Sequence, residues 1–373
     1  MRANDVLGII QAQSDDSIAK ELTAVRTLAS IPFGCRYRLI DFSLSNMVNA
    51  GINQVGIITK DNYQSLMDHV GSGKPWELAR KQGGMFILPP YNTSNASAGT
   101  RNSLVDSLYS IGDFLNRAKH EYVVIAHSNL VYNFDFNDLF RFHTEKDADV
   151  TVVYKHGNLP KNMDTMILDI NNDGRVEDIT ISEEAAGGVD YSFGIVLIRK
   201  SLLMNLIQHA VSHNETSFKR DILQANVDSL KIYGYEASGF AEIIDSLKSY
   251  YKISMSLLDK ENSKMLFDPE FPIATKVSDN VPATYGIDAK TSNSLVADGC
   301  QIEGEVENSL LFRGVVVEKG AVVKNSILMQ GTVVHANASL NSVVTDKNVT
   351  ISNSRNLSGD PTYPIYITKR ITV

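Results

Sequence analysis

The stretch VVVEKGAVVKNSILMQGTVVHANASL, residues 315–340, places aliphatic side chains about six residues apart, with small residues, Gly, Ala or Asn between them. The same spacing separates three aliphatic pairs: Val296 and Ile302, Val317 and Val323, and Val334 and Leu340. Repeats this short are typical of a parallel β-helix, in which each turn stacks on the previous one and cannot bury its apolar face alone. An antiparallel sandwich is the alternative. About three turns fit before the polar C-terminal segment, so we expect the coil to pack against the preceding domain or a partner.

The pattern before these repeats is different. From residue 6 to about 260, short apolar runs alternate with helical stretches, which predicts a largely parallel sheet flanked by helices. The predicted strands are 6–10, 54–59, 122–126, 149–154 and 191–198, and the predicted helices are 42–50, 103–117 and 137–144. Asp173-Gly174 between two alternating runs, 165–170 and 175–180, predicts an antiparallel hairpin.

A proline-rich segment separates the two patterns. Pro269, Pro272 and Pro282 punctuate it, which is typical of an extended linker. We therefore divide the chain into a domain at 1–260, a linker at 261–290 and a β-helix at 291–373.

Composition limits the class of function. The 373 residues carry a formal net charge of −8, whereas a general nucleic-acid binder needs excess Lys and Arg to neutralise phosphates. No apolar run reaches the roughly 20 residues of a membrane helix, and we see no secretion signal. We expect a cytoplasmic protein without nucleic-acid or membrane partners. Cys35 and Cys300 have no companions at metal-ligand spacing, which predicts free thiols.

Several motifs carry a family resemblance. They are PFGCRYRLIDFSLSN at 32–46, GSGKPWELARKQGGMFILPP at 71–90, GTRNSLVDS at 99–107 and the six-residue repeats. In this order they resemble the glucose-1-phosphate adenylyltransferases (ADP-glucose pyrophosphorylases) of bacterial glycogen synthesis, and within that family the GlgD-type subunits that accompany a catalytic subunit. The resemblance implies a Rossmann-like, GT-A-like nucleotidyltransferase domain followed by a short left-handed parallel β-helix.

The resemblance fails where the nucleotide should bind. Catalytic family members follow strand one with a Gly-Gly-x-Gly-x-Arg-Leu loop, whose N–H groups wrap the triphosphate. Here Gly8 is the only glycine in GIIQAQSDDSIAKEL, 8–22, and Asp15 and Asp16 would repel an anion. The family also has a lysine four residues before the proline of Pro-Phe-Gly, and that position is Leu28.

The metal site that the resemblance implies is also altered. In catalytic members the strand corresponding to 122–126 ends in Ser-Gly-Asp-His, and its aspartate holds Mg²⁺. Aligned on Tyr132, that position is Asn129, whose amide brings no charge to a hard cation. By the same resemblance a second metal ligand survives as Asp221 in SFKRDIL, 217–223. One carboxylate alone makes a poor magnesium site.

The implied sugar contacts depart from the family too. Its Glu-Lys-Pro after the hairpin has become ITISEEAAGG, 179–188. Its Tyr-Trp-x-Asp-x-Gly-Thr segment has become GFAEIIDS, 239–246, so Ala241, Ile243 and Asp245 stand where tryptophan, aspartate and glycine are expected. The departures together indicate a vestigial catalytic site.

Three arginines, Arg26, Arg36 and Arg38, lie close to Pro-Phe-Gly in sequence. The planar guanidinium fork suits phosphate, so one hypothesis is that they bind an anionic metabolite effector. Pairing with carboxylates such as Asp41 is the other hypothesis.

We therefore expect a catalytically deficient regulatory subunit that needs no cofactor itself, with Mg²⁺ acting only in a homologous catalytic partner of a mixed tetramer. One alternative is an active adenylyltransferase with a rebuilt site. A second is a β-helix acyltransferase with His335 as base, and a third is a self-assembling metabolite sensor.

Overall fold

The computed structural model describes residues 5–12, 18–59, 62–89, 103–161, 163–185 and 187–373. They form an α/β domain and a β-helix. Asp15 and Asp16, on which part of the phosphate-loop argument depends, lie outside the described residues.

In the α/β domain, strands and helices alternate along the chain. Its strands are β1 (Val6–Gln11), β2 (Pro32–Phe33), β3 (Tyr37–Arg38), β4 (Gln54–Ile58), β5 (Gly84–Leu88), β6 (Tyr122–His127), β7 (Leu130–Asn133), β8 (Val150–Gly157), β9 (Thr165–Ile170), β10 (Val176–Ser182), β11 (Val189–Arg199), β12 (Ile232–Glu236) and β13 (Phe240–Ile243). Its α-helices are α1 (Lys20–Thr23), α2 (Leu39–Asn49), α3 (Gln64–Val70), α4 (Leu104–Ser110), α5 (Gly112–Arg117), α6 (Phe136–Glu145), α7 (Lys200–Ser212), α8 (Leu247–Ser256) and α9 (Lys260–Leu266). Short 3₁₀ turns lie at Leu28–Ser30, Lys74–Trp76 and Gln224–Asn226, and a π-helical turn at Phe218–Leu223.

The central sheet is mixed. Its order is β10-β9-β11-β6-β1-β4-β5, and β8 pairs with both β11 and β12. Strands β6, β1, β4 and β5 are parallel, but β11 runs antiparallel to β6, β8 and β9. The prediction of a largely parallel sheet is therefore wrong for the β11 side. The reason is that β11 follows the β9–β10 hairpin directly, without the crossover helix that a parallel neighbour requires.

Strand β1 shows how the sheet is covered on both faces. Successive residues of a strand point to opposite sides, so Ile10 packs in one apolar cluster with residues of α2 and α6, whereas Leu7 and Ile9 pack in another with α4, α5 and α7. Gly8 permits a close approach of α2, because a Cβ there would lie 2.7 Å from Sδ of Met47.

Most predicted elements are confirmed, with one clear error. The strands expected at 6–10, 54–59, 122–126, 149–154 and 191–198 correspond to β1, β4, β6, β8 and β11. The single helix expected at 103–117 is two helices, α4 and α5, which meet at Ile111 and Gly112. Glycine disfavours a helix interior because it loses the most backbone freedom there.

The C-terminal part is a left-handed β-helix of three parallel sheets with five strands each in the described chain. The strands are β14 (Thr284–Tyr285), β15 (Lys290–Ser292), β16 (Leu295–Val296), β17 (Gln301–Ile302), β18 (Glu305–Glu307), β19 (Leu310–Leu311), β20 (Val316–Val317), β21 (Val322–Lys324), β22 (Ile327–Leu328), β23 (Val333–Val334), β24 (Ser339–Asn341), β25 (Val343–Thr345), β26 (Thr350–Ile351), β27 (Asn356–Ser358) and β28 (Ile365–Ile367). The predicted repeat positions face inward: Val317, Val323, Val334 and Leu340 are fully buried.

The coil is longer than the sequence pattern indicates. Five turns are present where we expect about three, and pairing begins at Thr284, before the predicted boundary at 291. The repeat pattern does not include the first turn, because its strands β14 and β15 are exposed and mostly polar. Helix α9 occupies the start of the predicted linker, whereas residues 267–283 form no helix or strand.

The two domains share a buried junction, as expected for a short coil. Phe33 and Tyr250 of the α/β domain pack in one apolar cluster with Leu310, Phe312 and Ile327 of the β-helix. Such burial contributes roughly 25 cal/mol per Å² of apolar surface removed from water. The junction holds the β-helix against the α/β domain.

Candidate functional site

A cavity of about 320 Å³ lies where β6 ends and the chain turns through Ser128 and Asn129 into β7. We call it the strand-end cavity. His127, Asn129, Phe193, Lys219 and Ile243 are among its lining residues. It lies at the carboxyl end of β6, the edge of an α/β sheet where ligands commonly bind.

Asn129 has a structural partner in this cavity. Its side chain is buried, and Nδ2 donates a hydrogen bond to the main-chain oxygen of Ile244 at 3.1 Å. The main-chain N–H of Ile244 in turn donates to the oxygen of Asn129 at 2.9 Å. The amide therefore joins the β6–β7 turn to the end of β13, and its donor group is already used.

The residue that accompanies Asn129 in the strand-end cavity is Ile243, not Asp221. Ile243 stands where the resemblance places an aspartate, and it lines the cavity. Asp221 is not among the described lining residues; its Oδ2 accepts the main-chain N–H groups of Thr216 and Ser217 at 2.9 and 2.8 Å. The role of Asp221 as a surviving metal ligand stays a prediction, and the contacts of its carboxylate in the structure are at the start of the π-helical turn.

The residues of the strand-end cavity do not fit Mg²⁺. Asp164 is the one carboxylate among the described lining residues, and it is half exposed and pairs with Arg220 at 3.3 Å. In the part of the chain that the structure describes, no three His, Cys, Asp or Glu side chains are grouped to hold a metal. Magnesium prefers carboxylate and phosphate oxygens in octahedral geometry, so an amide and an aliphatic side chain cannot replace its ligands.

Nearby titratable groups are shifted toward their neutral forms. Burial, and to a smaller extent the neighbouring Lys219, lower the pKa of His127 to about 4. Burial also lowers the pKa of Lys219, although Asp164 opposes that shift. An imidazole that stays neutral at pH 7 cannot replace the missing fixed cation for a phosphate ligand.

Leu28 stands at the position where the family resemblance expects a lysine. The side chain is buried in the apolar cluster of the domain junction, together with Ile31 and Tyr250. An ammonium group could not remain there without a partner, because burial of an unpaired charge is costly.

A second cavity, of about 230 Å³, lies between the β2–β3 hairpin, residues 276–278 and the β-helix. We call it the basic cavity. Its lining includes five cationic side chains: Arg36, Arg38, Lys276, Arg313 and Lys347. None of the described lining residues is Asp or Glu. The cavity therefore concentrates positive charge where the two domains meet.

The structure separates the three arginines that the sequence groups. Arg36 and Arg38 line the basic cavity, but Arg26 is buried and donates from Nη2 to both carboxylate oxygens of Asp346, at 2.7 and 2.8 Å. Carboxylate pairing is thus realised for Arg26, with Asp346 in place of Asp41. Tyr366 also donates to Asp346, at 2.8 Å.

Charges in the basic cavity are only partly compensated. Arg313 pairs with Asp298 at 3.1 Å, and Lys276 donates to the main-chain oxygen of Asp68 at 2.7 Å. Arg36 lies over the ring of Tyr37 at 5.6 Å and, like Lys347, forms no ion pair with a described residue. The uncompensated cations give the described lining of this cavity a net positive charge.

Sequence reasoning missed Lys276, Arg313 and Lys347. Each lies far from the β2–β3 hairpin in sequence, and the junction brings them together. The one signal available is Arg313, a charge within the aliphatic run LLFRGVVV, 310–317.

His335 is engaged locally on the β-helix. Its Nδ1 lies 2.9 Å from Oε1 of Glu318, whose Oε2 accepts the N–H of Ala336 at 2.9 Å. The hydrogen bond from His335 lowers the pKa of the Glu318 carboxyl. His335 lines neither of the two cavities described above.

Comparison with known proteins covers both domains. The family model described as "Nucleotidyl transferase" matches residues 20–184, and "GlmU-like, C-terminal hexapeptide" matches residues 278–363. The "Glycogen biosynthesis protein GlgD" of Bacillus subtilis (strain 168) is 38% identical over 370 residues, 98% of this chain and 96% of that protein. The protein of the same name from Geobacillus stearothermophilus is 37% identical over 320 residues, 86% of this chain and 83% of that protein.

Some of the relatives are named as enzymes. The "Glucose-1-phosphate adenylyltransferase" of Clostridium perfringens (strain SM101 / Type A) is 30% identical over 330 residues, 87% of this chain and 84% of that protein. The fold and the matches define a nucleotidyltransferase domain joined to a hexapeptide β-helix. The chain belongs to the glucose-1-phosphate adenylyltransferase, or ADP-glucose pyrophosphorylase, family. No helix among the described residues is long and apolar enough to cross a membrane.

Proposed function

We propose that this chain is a regulatory subunit of ADP-glucose pyrophosphorylase in glycogen biosynthesis, with little or no catalytic activity of its own. It associates with a homologous catalytic subunit in a mixed tetramer and raises the activity of that subunit or changes its effector response. The family reaction converts ATP and glucose 1-phosphate to ADP-glucose and pyrophosphate. Two GlgD proteins among the relatives carry a glycogen biosynthesis name, which supports the pathway.

One observation carries the proposal: Asn129 and Ile243 line the strand-end cavity at two positions where the family resemblance expects aspartates, the first of which holds Mg²⁺ in catalytic members. A metal ion that neutralises the triphosphate is a main source of transition-state stabilisation in phosphoryl transfer. Without carboxylates at both positions, Mg²⁺ acts only in the catalytic partner, and this chain requires no cofactor.

The regulatory part of the proposal rests on the basic cavity, which we expect to bind a small anionic metabolite. Arg36 and Arg38 come from the α/β domain, and Arg313 and Lys347 from the β-helix. An anion that contacts both sets favours one arrangement of the domain junction. A ligand shifts such an equilibrium only by its difference in affinity for the two arrangements, and a few kcal/mol is enough.

A set of contacts along α2 joins the basic cavity to β7, which pairs with β13. The main-chain N–H of Arg38 donates to Oδ2 of Asp41 at 3.0 Å, at the start of α2. One turn further along, Asn46 donates to the oxygen of Tyr132 at 3.1 Å and accepts the N–H of Phe134 at 3.0 Å. Helix α2 therefore spans from the hairpin that lines the basic cavity to β7, next to the strand-end cavity.

Turnover measurements test the proposal. ADP-glucose formation is measured with Mg²⁺ for this chain alone, for a catalytic homologue alone and for the co-purified mixture. We expect this chain to be silent and the mixture to exceed the homologue. Turnover by this chain alone at an ordinary enzyme rate of about 1 s⁻¹ or more would instead support an active transferase with a rebuilt site.

A further inference from the structure

Lys347 differs from the other cations of the basic cavity. It follows β25 and Asp346 on the β-helix, is partly buried and lines the cavity. Its main-chain N–H donates to Asp346 at 2.6 Å, but its ammonium group has no ion pair or hydrogen bond with a described residue. Lys347 thus lines the basic cavity, and its ammonium group has no structural partner among the described residues.

The charges around Lys347 are predominantly positive. Arg26, Arg38 and Lys369 face it as cations, and Asp346 is the opposing carboxylate. Asp346 is already bonded to Arg26 by both oxygens and to Tyr366. Burial first, and the arginines second, lower the pKa of Lys347 to about 7. About half of the amine is then neutral at pH 7, against fewer than about one in a thousand for an ordinary lysine.

We propose that Lys347 is a site of acylation by small acyl phosphates, and that the basic cavity binds the phosphate group of the donor. The inference rests on the proposed anion-binding function of this cavity. Arg36 and Arg313 offer planar guanidinium groups that suit phosphate oxygens. A volume of about 230 Å³ lies below the roughly 300 Å³ at which drug-sized ligand pockets begin, so a small donor fits best.

The chemistry is a simple acyl transfer. A lysine beside other cations is activated as a nucleophile because its neutral form becomes accessible. The lone pair of Nζ attacks the acyl carbon, the N–C bond forms, and the bond between that carbon and the phosphate oxygen breaks. Inorganic phosphate leaves with the electron pair of that bond, and the proton lost from Nζ goes to water or to the departing phosphate. The product is an uncharged amide on Lys347.

Acylation of Lys347 changes the basic cavity, which binds the acyl donor. The amide removes one of five cations and occupies part of the space, so binding of an anionic effector becomes weaker. The modification and the effector therefore exclude each other. A cell with abundant acyl phosphates would in this way reduce the effector response of the mixed enzyme.

The test uses the full chain, acetyl phosphate at pH 7.5 and mass spectrometry of the digested protein over time. Lys264 and Lys319 serve as internal controls because their side chains are 72% and 76% exposed. We expect Lys347 to be acetylated at least tenfold faster than either control. Added inorganic phosphate should slow the reaction at Lys347 but not at the controls, and Arg36→Gln should slow it in the same selective way.

Two results would overturn the inference. Labelling of Lys347 no faster than that of Lys264 and Lys319 contradicts it, and so does fast labelling that inorganic phosphate does not slow. Binding of inorganic phosphate, measured by calorimetry on the untreated protein, separates the two proposals. Phosphate binding without selective labelling leaves the effector site intact and removes only acylation, whereas absence of phosphate binding contradicts both.

Discussion

Asn129 and Ile244 hold each other through two hydrogen bonds, one from the side-chain amide of Asn129 at 3.1 Å and one from the main chain of Ile244 at 2.9 Å. A carboxylate at position 129 could not make the first bond, because it has no proton to donate to a carbonyl oxygen. The amide at this position therefore stabilises the contact between the β6–β7 turn and the end of β13.

Replacing Asn129 by aspartate should accordingly destabilise the protein. Asn129→Asp leaves the oxygen of Ile244 facing a carboxylate, and we expect the free energy of unfolding to fall by about 1–3 kcal/mol. Urea unfolding at pH 7 measures this. Asn205→Asp is the matched control, since Asn205 is exposed in the middle of α7, and surface changes usually stay within about 0.5 kcal/mol.

The same variant tests the proposal that the strand-end cavity does not support catalysis. Asn129→Asp should not acquire pyrophosphorylase turnover, because Ile243 still replaces the second carboxylate. Unchanged stability of Asn129→Asp would contradict the structural role of the amide, and a gain of turnover would contradict the role given to Ile243.

The buried pair of Arg26 and Asp346 should be one of the strongest single links between the domains. Arg26→Met leaves Asp346 charged and buried without its main partner, and removal of one member of a buried pair costs about 3–5 kcal/mol. Thermal or urea unfolding provides the measurement. Arg141→Met is the control, because Arg141 and its partner Asp138 are 64% and 52% exposed. A loss below about 1 kcal/mol for Arg26→Met, the range of exposed pairs, would argue against this link.

Anion binding in the basic cavity should depend on pH through Lys347. Sulfate is the suitable probe because its own charge is constant near neutral pH. The pKa of Lys347 in the free protein is about 7, so below that pH the ammonium is already present. Above it, the neutral amine contributes no charge to the bound anion unless it takes up a proton, so affinity should fall, by at most about tenfold per pH unit.

The other titratable groups of the basic cavity do not produce this dependence. The pKa of Arg38 is lowered only to about 10, and burial lowers the pKa of His69 below its usual value of 6.5. Neither group therefore changes its charge between about pH 7 and 9. Lys347→Arg keeps the charge at every pH and should remove the decline, whereas Lys319→Arg at an exposed site should not. Equal pH profiles for the wild type and Lys347→Arg in calorimetric titrations would contradict the assignment.

Buried histidines should make the fold sensitive to mild acid. Burial lowers the pKa of His143 to about 4, below the value of about 6.5 expected in the unfolded chain. Between these values the unfolded state binds more protons, so stability decreases as pH falls. Each such histidine contributes a slope of about 1.4 kcal/mol per pH unit.

His143→Gln measures this contribution, since glutamine can still bond to Thr151, which lies 2.7 Å from Nδ1 of His143. The slope of unfolding free energy between about pH 5 and 6 should become shallower by roughly 1.4 kcal/mol per pH unit. His213→Gln is the control on an exposed position. An unchanged slope in His143→Gln would show that the ring accepts its proton in the folded state.

Local sequence patterns were sufficient to predict part of the fold. Strands β1, β4 and β6 are buried on both faces, so they appear as short continuous apolar runs, and the inward positions of the coil repeat at a fixed spacing. The direction of β11 could not be predicted, because this antiparallel strand has the same apolar pattern as a parallel strand. The two outer turns of the coil were missed where their strands are exposed and polar.

The sites depend on contacts that no local pattern contains. Arg26 finds its carboxylate 320 residues away, at Asp346, and the basic cavity combines cations from both domains. Asp221 is predicted as a metal ligand from a motif, and the contacts that the structure adds are those of its carboxylate with the backbone N–H groups of Thr216 and Ser217. The replacement of the expected aspartate at Ile243 was visible in sequence, but its proximity to Asn129 was not.

The most direct test of the central claim uses a mixed oligomer in which only this chain could catalyse. The catalytic homologue is made inactive by changing its own strand-end aspartate to asparagine, co-purified with this chain, and assayed for ADP-glucose formation with Mg²⁺. We predict that this oligomer is silent, while the same mixture with the unchanged homologue is more active than the homologue alone. Turnover at about 1 s⁻¹ or more by the oligomer with the inactivated homologue would show that this chain catalyses, and would contradict the account based on Asn129 and Ile243.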